Sequence, residues 1–321
     1  MKKLIYLSCL ALIVLTFSCK KEAITVVGKD NPAIETEQFE NIQAFLDTYK
    51  PQVERFTFDA AIGLTTTTAK YGSQIQVPAN VLVNASGQLV TGNVELKILE
   101  VFSKADMIYT GAYPWFNNQP LNSGAEFYIG ATQNGEVLEI KDSMEITYTV
   151  PAQGTGQMTW FAAFGDENDS DELEWLFAAN TGVKIGVPFD DLQTNNSYKI
   201  SLSYLSWCNI DEILSLPTNY NEFEFKGVEA DLNHMNTETT IVLKNNNTAF
   251  PLTKSNGANF TNNVLDYSNL PAVEMTVFTI SVIDKELYSG AIDIDPEAGL
   301  RYTIDLSKTS AEDLNTFFQS L

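Results

Sequence analysis

The chain is poor in the residues that carry most enzyme chemistry. Its 321 residues include one His, His234, and three Cys at positions 9, 19 and 208. That inventory excludes zinc sites built from several His or Cys ligands. A Ser-His-Asp triad would have to use His234, which sits in the polar stretch Asp231-Leu232-Asn233-His234-Met235-Asn236 with no G-x-S-x-G elbow elsewhere. The expectation for His234 is an exposed turn residue. Cations are scarce as well: 19 Lys and Arg face 41 Asp and Glu, a formal net charge of −22. Such a balance repels phosphate backbones, and no Lys/Arg cluster offsets it, so nucleic acid is excluded as a partner. The charge reads as that of a soluble body. The apolar segment Leu4–Phe17 is too short to span a bilayer as a mature helix.

That segment follows Lys2 and Lys3, and a positive start before a short apolar stretch reads as an export leader. It runs into Leu15-Thr16-Phe17-Ser18-Cys19, which resembles the lipobox of bacterial lipoproteins. The resemblance implies a signal peptide over 1–18, acylation of Cys19 as the mature N-terminus, and a lipid-anchored position at the outer membrane. Lys20, Lys21 and Glu22 resemble the surface-export signals of such proteins, which implies an outward-facing location. Cys9 would leave with the leader. Cys208 alone would remain, so no intramolecular disulfide is expected despite an oxidising destination. It follows Trp207 in an apolar stretch and is expected to be a buried, inert thiol.

Residues 19–35 read as a flexible tether, with Gly28, Asn31 and Pro32 as breakers and no sustained periodicity. The next unit, 36–55, holds a short helix over Glu37–Tyr49. Phe39, Ile42, Phe45, Leu46 and Tyr49 gather on one face of it, and Pro51 stops it. Residues 56–205 read as a first β-sandwich. Gln74–Val77 alternates apolar and polar, Gly92–Glu100 sets Val94, Leu96 and Ile98 against Glu95 and Lys97, and Asn134-Gly135 marks a hairpin. Residues 206–321 read as a second, smaller sandwich, immunoglobulin-like or carboxypeptidase-regulatory-like. It closes with a helix capped by Ser310, whose face carries Leu314, Phe317, Phe318 and Leu321. The fold class is therefore all-β, two β-sandwich domains with a short N-terminal and a C-terminal helix.

The stretch Gly72-Ser73-Gln74-Ile75-Gln76-Val77-Pro78-Ala79-Asn80, leading through Gly87 and Gly92 to Val94-Glu95-Leu96-Lys97-Ile98, resembles the β-sandwich domain shared by ankyrins, netrin receptors and zonula occludens proteins. Glu100-Val101-Phe102-Ser103-Lys104-Ala105-Asp106-Met107-Ile108 resembles a segment of uncharacterised Bacteroidota surface lipoproteins. Those proteins also carry an acidic-or-glycine loop before Trp, as in Asp166–Trp175, and a Trp-Asn-Asp motif similar to Trp207-Cys208-Asn209-Ile210-Asp211. The resemblance implies a fold and a surface location but no activity.

Two constellations stand out as contact candidates. Tyr109, Tyr113, Trp115 and Phe116 crowd what reads as a loop with Gly111, Pro114 and Pro120. Rings so placed either cover the end of the core or stack on a ligand, and Tyr113, Trp115 and Phe116 are the candidate ligand contacts. Asp166-Glu167-Asn168-Asp169-Ser170-Asp171-Glu172 is the densest carboxylate run. It lacks the Gly and terminal Glu of an EF-hand, so it reads as a solvated hairpin tip, with Asp166, Asp169 and Asp171 as a weak calcium alternative. No other cofactor is implied. The expected function is that of a binding, adhesion or surface-assembly module for an unknown protein or glycan, not an enzyme. The alternatives are a carbohydrate binder using the loop aromatics and a carboxylate-dependent hydrolase.

Overall fold

The computed structural model describes residues 37–142, 144–151, 158–170, 173–177, 193–194, 197–253 and 258–321. They form an all-β body of two sandwiches with helices α1 (Ile42–Tyr49), α2 (Lys104–Thr110) and α3 (Ala311–Gln319). None of the helices among the described residues is long and apolar enough to cross a membrane.

Four principal sheets stack as layers. The first outer sheet runs in the order Gln193–Thr194, Ser197–Leu202, Ile146–Pro151, Gln74–Val77, Leu64–Thr67. Its partner, the first inner sheet, runs Glu54–Asp59, Asn93–Val101, Gln119–Gln133, Trp207–Ile213, Thr159–Ala163, Leu176–Phe177. In the second half, the inner sheet runs Ala249–Pro251, Thr237–Leu243, Met275–Ile283, Glu286–Ile294, Ser307–Lys308. The second outer sheet runs Ala258–Thr261, Val264–Pro271, Thr218–Lys226, Arg301–Asp305, with the last pair parallel.

Burial follows the layering. Gln74–Val77, Ile146–Pro151, Ser197–Leu202 and Arg301–Asp305 alternate between core and solvent along their length. That is the pattern of a sheet wetted on one face. Thr237–Leu243 is buried at every position, and Asn93–Val101 is buried throughout its second half. Strands of that kind have no solvent face. Ile75, Tyr148, Phe127 and Ile200 fill the first sandwich. Phe223, Phe250, Val277 and Ile304 fill the second. A third core lies between the inner sheets. It joins Leu99, Tyr128 and Trp207 of the first half to Val242, Phe278 and Ile280 of the second, with all three helices in between.

Both expected helices form, the first over Ile42–Tyr49, five residues shorter at its start than the expected Glu37–Tyr49. Asn41 caps α1, with its Oδ1 accepting from the Ala44 N–H, and the expected face points inward through Ile42, Phe45 and Leu46. Ser310 caps α3, accepting from the Asp313 N–H. The Phe318 ring meets Phe278 at 4.9 Å, Tyr109 at 5.4 Å and Phe45 at 6.4 Å. The C-terminal helix thus docks on the second sandwich, as expected, and also on the other two helices. The hairpin at Asn134-Gly135 forms too, with both residues at positive φ and Gln133 paired with Glu136.

Two features depart from the sequence reading. Helix α2 lies inside a region read as all-β, and its last turn falls where a loop was expected. Its nucleus is a capping box, Ser103 with Asp106, and Gly111 at φ 74° ends it in the left-handed conformation. Tyr109 is therefore a helical residue, 1% exposed, not a loop ring. The division at 205/206 also falls on the wrong side of one strand. Trp207–Ile213 pairs with Gln119–Gln133 and Thr159–Ala163, inside the first sandwich.

The two halves are also tied by backbone groups. Asn247 Nδ2 donates to the carbonyls of Phe102 at 2.9 Å and Ser123 at 3.1 Å, and Thr248 Oγ1 donates to the Leu121 carbonyl at 2.5 Å. Replacing Phe318 with Ala removes the ring shared by helices and sheet. The expected loss is about 3–5 kcal/mol in equilibrium urea unfolding; a loss below about 1 kcal/mol would show that α3 does not hold the central core together.

Candidate functional sites: an aromatic loop, an acidic turn and a buried carboxylate pair

The aromatic segment leaves α2 at Gly111, and its Trp115–Phe116 part is a short strand, not loop, hairpinned onto Gln119 and Pro120 with rings reaching both halves. Tyr113, Trp115 and Phe116 are each half-buried. Tyr113 donates its hydroxyl to Glu238 Oε1 at 3.2 Å, and its carbonyl accepts from Trp175 Nε1 at 3.1 Å. The Trp115 ring lies 4.6 Å from Phe250, in the second half. Phe116 packs on Phe177 at 4.6 Å and on Phe161 at 5.2 Å, in the first. Of the two roles open to these rings, the geometry favours covering the core.

The acidic turn is held by its own backbone. Asp166 Oδ1 accepts from the Asn168 N–H at 2.7 Å, and Asp169 Oδ2 accepts from the Asp166 N–H at 2.7 Å. Both side chains are exposed, while Asp171 lies outside the described residues. Among the described residues, no group of three or more His, Cys, Asp or Glu side chains is placed to hold a metal ion. Glu167 behaves differently. It is buried and paired with Lys97 at 2.5 Å, with Arg55 at 3.7 Å. Burial pushes its carboxyl up, but the Lys97 ammonium, a backbone N–H and the Tyr128 hydroxyl outweigh that and hold it below the usual range.

Cys19 lies outside the described residues. Cys208 is 0% exposed, and burial pushes its thiol up to about 12 against a smaller opposing effect of the Tyr204 hydroxyl. A thiol so raised is neither nucleophile nor ligand at neutral pH. His234 is exposed in a turn, its ring 5.5 Å from Phe260. An open groove of about 440 Å³ runs along the first inner sheet, lined by Thr57, Asn93, Lys97 and Thr132 among others. Its one carboxylate, Glu95, is paired with Arg55 at 2.6 Å.

A further cluster escaped the sequence reading. In the middle of the first inner sheet Glu126 lies opposite Asn209, and past a bulge Ser123 lies opposite Asp211. All four side chains are 0% exposed. Asn209 Nδ2 donates to Asp211 Oδ2 at 2.6 Å. Burial pushes the Glu126 carboxyl well up, and the charge of Asp211 adds to it. Burial also raises Asp211, while the Ser123 hydroxyl, the Asn209 amide and the Gly124 N–H pull the other way. One signal was present: a period-two strand puts Asn209 and Asp211 on the face of Trp207, whose large ring favours burial.

No protein-family model matches the chain, and no curated protein matches it.

Trp115→Ala is expected to lower stability by about 2 kcal/mol, since it strips a half-buried ring from Phe250. Unchanged stability with weakened retention on glycans would instead favour a recognition role. For Glu167 the folded carboxyl sits below its ordinary value, so its stabilisation is present at neutral pH and is lost as pH falls through the folded value. Glu167→Gln should therefore lower the melting point at pH 7 and close the gap to wild type as the pH approaches 3. A gap that is constant across that range would rule out the ion pair as its cause.

Proposed function

We propose that this is an outer-membrane lipoprotein, anchored through acyl chains on Cys19, that binds a partner or supports an assembly at the cell surface. The observation that carries the reading is the order of residues at the N-terminus: two lysines, a short apolar segment, and Ser18 before Cys19. Each buried methylene of an acyl chain contributes about 0.8 kcal/mol, so two or more chains make a stable anchor where one does not. The tether over 19–35 would then hold the body off the headgroups by roughly 20–25 Å if it behaves as a flexible coil.

Binding rather than catalysis is supported by what the chemistry-bearing side chains are doing. The Cys208 thiol is sealed and raised, His234 stands in an exposed turn, and the carboxylate of the open groove is paired with Arg55. The loop aromatics pack on core rings, which lends the carbohydrate reading no particular support. The finer assignment, a surface lipoprotein like those of Bacteroidota, rests on the motif resemblance alone.

Mass spectrometry of protein taken from membranes should find the leader gone and Cys19 acylated. Cys19→Ser should move the protein out of the membrane fraction, and protease added to intact cells should degrade the wild type. A retained leader or an unmodified thiol would remove the anchor from the account; full protection from protease would reverse the orientation.

A further inference from the structure

We infer that Glu126, Asn209, Asp211 and Ser123 form a buried calcium site at the centre of the first inner sheet, on the face that meets the helices and the second sandwich. This rests on the side chains themselves and does not depend on the lipid anchor.

The placement comes from strand geometry. Cys208 and Ile210 point into the first sandwich, whereas Trp207 belongs to the central core. Asn209 and Asp211 share the face of Trp207 by period two. Glu126 shares the face of Tyr128, another central-core residue, and lies directly across from Asn209. The bulge at Ile210/Asp211 brings Asp211 opposite Ser123 instead of Gly124. Four oxygen-bearing side chains therefore meet on adjoining strands, all of them sealed from solvent.

The cluster has more acceptors than donors. Neither Glu126 oxygen finds a hydrogen-bond partner, and neither does Asn209 Oδ1; Asp211 has the Asn209 amide on Oδ2, with the Ser123 hydroxyl and the Gly124 N–H beside it. Among the described residues no Lys or Arg forms an ion pair with Glu126 or Asp211. Glu126 is the extreme case: Glu100, also buried, has one oxygen accepting from the Tyr148 hydroxyl at 2.8 Å and one without a partner, whereas Glu126 has neither satisfied. Two carboxylates side by side in a low-dielectric interior are costly unless something positive joins them. The Asn209 amide is the independent pointer. It is fully buried, its nitrogen already serves Asp211, and its oxygen has no donor.

The donor set selects the ion. Carboxylate, amide and hydroxyl oxygens suit a hard cation, with no thiolate or imidazole to favour zinc. Magnesium keeps several of its waters, which a sealed site between packed layers does not accommodate. Calcium accepts irregular oxygen shells and bidentate carboxylates. An ion in this position would be enclosed as the two halves close, so it would exchange slowly and would be removed only by unfolding in chelator. The sequence reading placed a calcium alternative at Asp166, Asp169 and Asp171; the inference moves calcium to different residues.

The test uses the full mature chain, unfolded and refolded in chelator and then given calcium chloride. Expected are one calcium per chain by elemental analysis and a melting point raised by about 5 °C at a hundredfold excess over Kd. Glu126→Gln and Asp211→Asn should each abolish both responses, whereas the double variant Asp166→Asn, Asp169→Asn should keep them. In chelator, Glu126→Gln should melt no lower than wild type, because it removes one of two opposed charges. The inference is overturned if wild type takes up no calcium and its midpoint does not move. It is overturned equally if the response survives in Glu126→Gln and Asp211→Asn, or if it disappears in the acidic-turn double variant. Should wild type bind no calcium and melt higher as pH falls from 8 to 5, a proton shared by the two carboxyls takes the place of the ion.

Discussion

Two of the four principal sheets give little of either face to water, the groove beside Glu95 and Lys97 apart, and that constraint organises the molecule. The first inner sheet buries one face in its own sandwich and must cover the other, which carries Leu99, Tyr128, Phe161 and Trp207. The second inner sheet has the same need at Val242, Phe278 and Ile280. Each large apolar side chain left uncovered would forfeit roughly 1.5–3 kcal/mol. The halves therefore close on each other, and α1, α2 and α3 fill the space that two twisted sheets leave between them. A ring such as Phe318, in contact with Phe45, Tyr109 and Phe278, belongs to no single sandwich. The hydrogen bonds of Asn247 and Thr248 across the join satisfy carbonyls that this burial would otherwise strand.

The same layering decides what could be read from the sequence. Gln74–Val77 and the hairpin at Asn134-Gly135 were legible because they are local: alternation and a turn dipeptide each report a solvent-facing side. The helix faces of α1 and α3 were legible for the same reason. Alternation also marks the half-wetted start of Asn93–Val101, but an inner-sheet strand covered on both faces carries no such signature. Thr237–Leu243, buried at every position, reads as polar and β-branched from sequence, and the Thr239 and Thr279 hydroxyls meet in its interior at 3.0 Å. Helix α2 was missed because its capping box, Ser103 with Asp106, was absorbed into a motif resemblance. The division at 205/206 failed because pairing of Trp207–Ile213 with Gln119–Gln133 spans about eighty residues, and no local pattern encodes it.

The candidate sites divide along the same line. Tyr113, Trp115 and Phe116 are conspicuous in sequence because aromatic residues beside Gly and Pro suggest an open loop. In the fold that segment is partly strand, with its rings packed on both halves, and their conspicuousness reflects packing. Asp166 and Asp169 drew attention by density, yet their carboxylates close a turn on its own backbone. Glu167, in the same run, is the one whose charge matters to the fold, because it turns inward to Lys97. Glu126 and Asp211 were inconspicuous, since a lone carboxylate in a strand reads as a solvent-facing residue. Only the second layer of cover makes them buried.

A buried pair of carboxyls at a join differs in kind from a surface cluster of the same charge. On the surface, water and salt screen neighbouring carboxylates, and the net charge of −22 is tolerated as solubility. At the centre of the first inner sheet screening is lost, and whatever neutralises Glu126 and Asp211 also sets the energy with which the second half closes over them. Apolar side chains at those positions would have served the join at lower electrostatic cost. Their presence ties the electrostatic cost of closure to what neutralises them, a proton or the inferred ion. Among the described residues the two sandwiches and three small helices thus enclose two raised carboxyls at their join, under the rings and helices that hold the halves together.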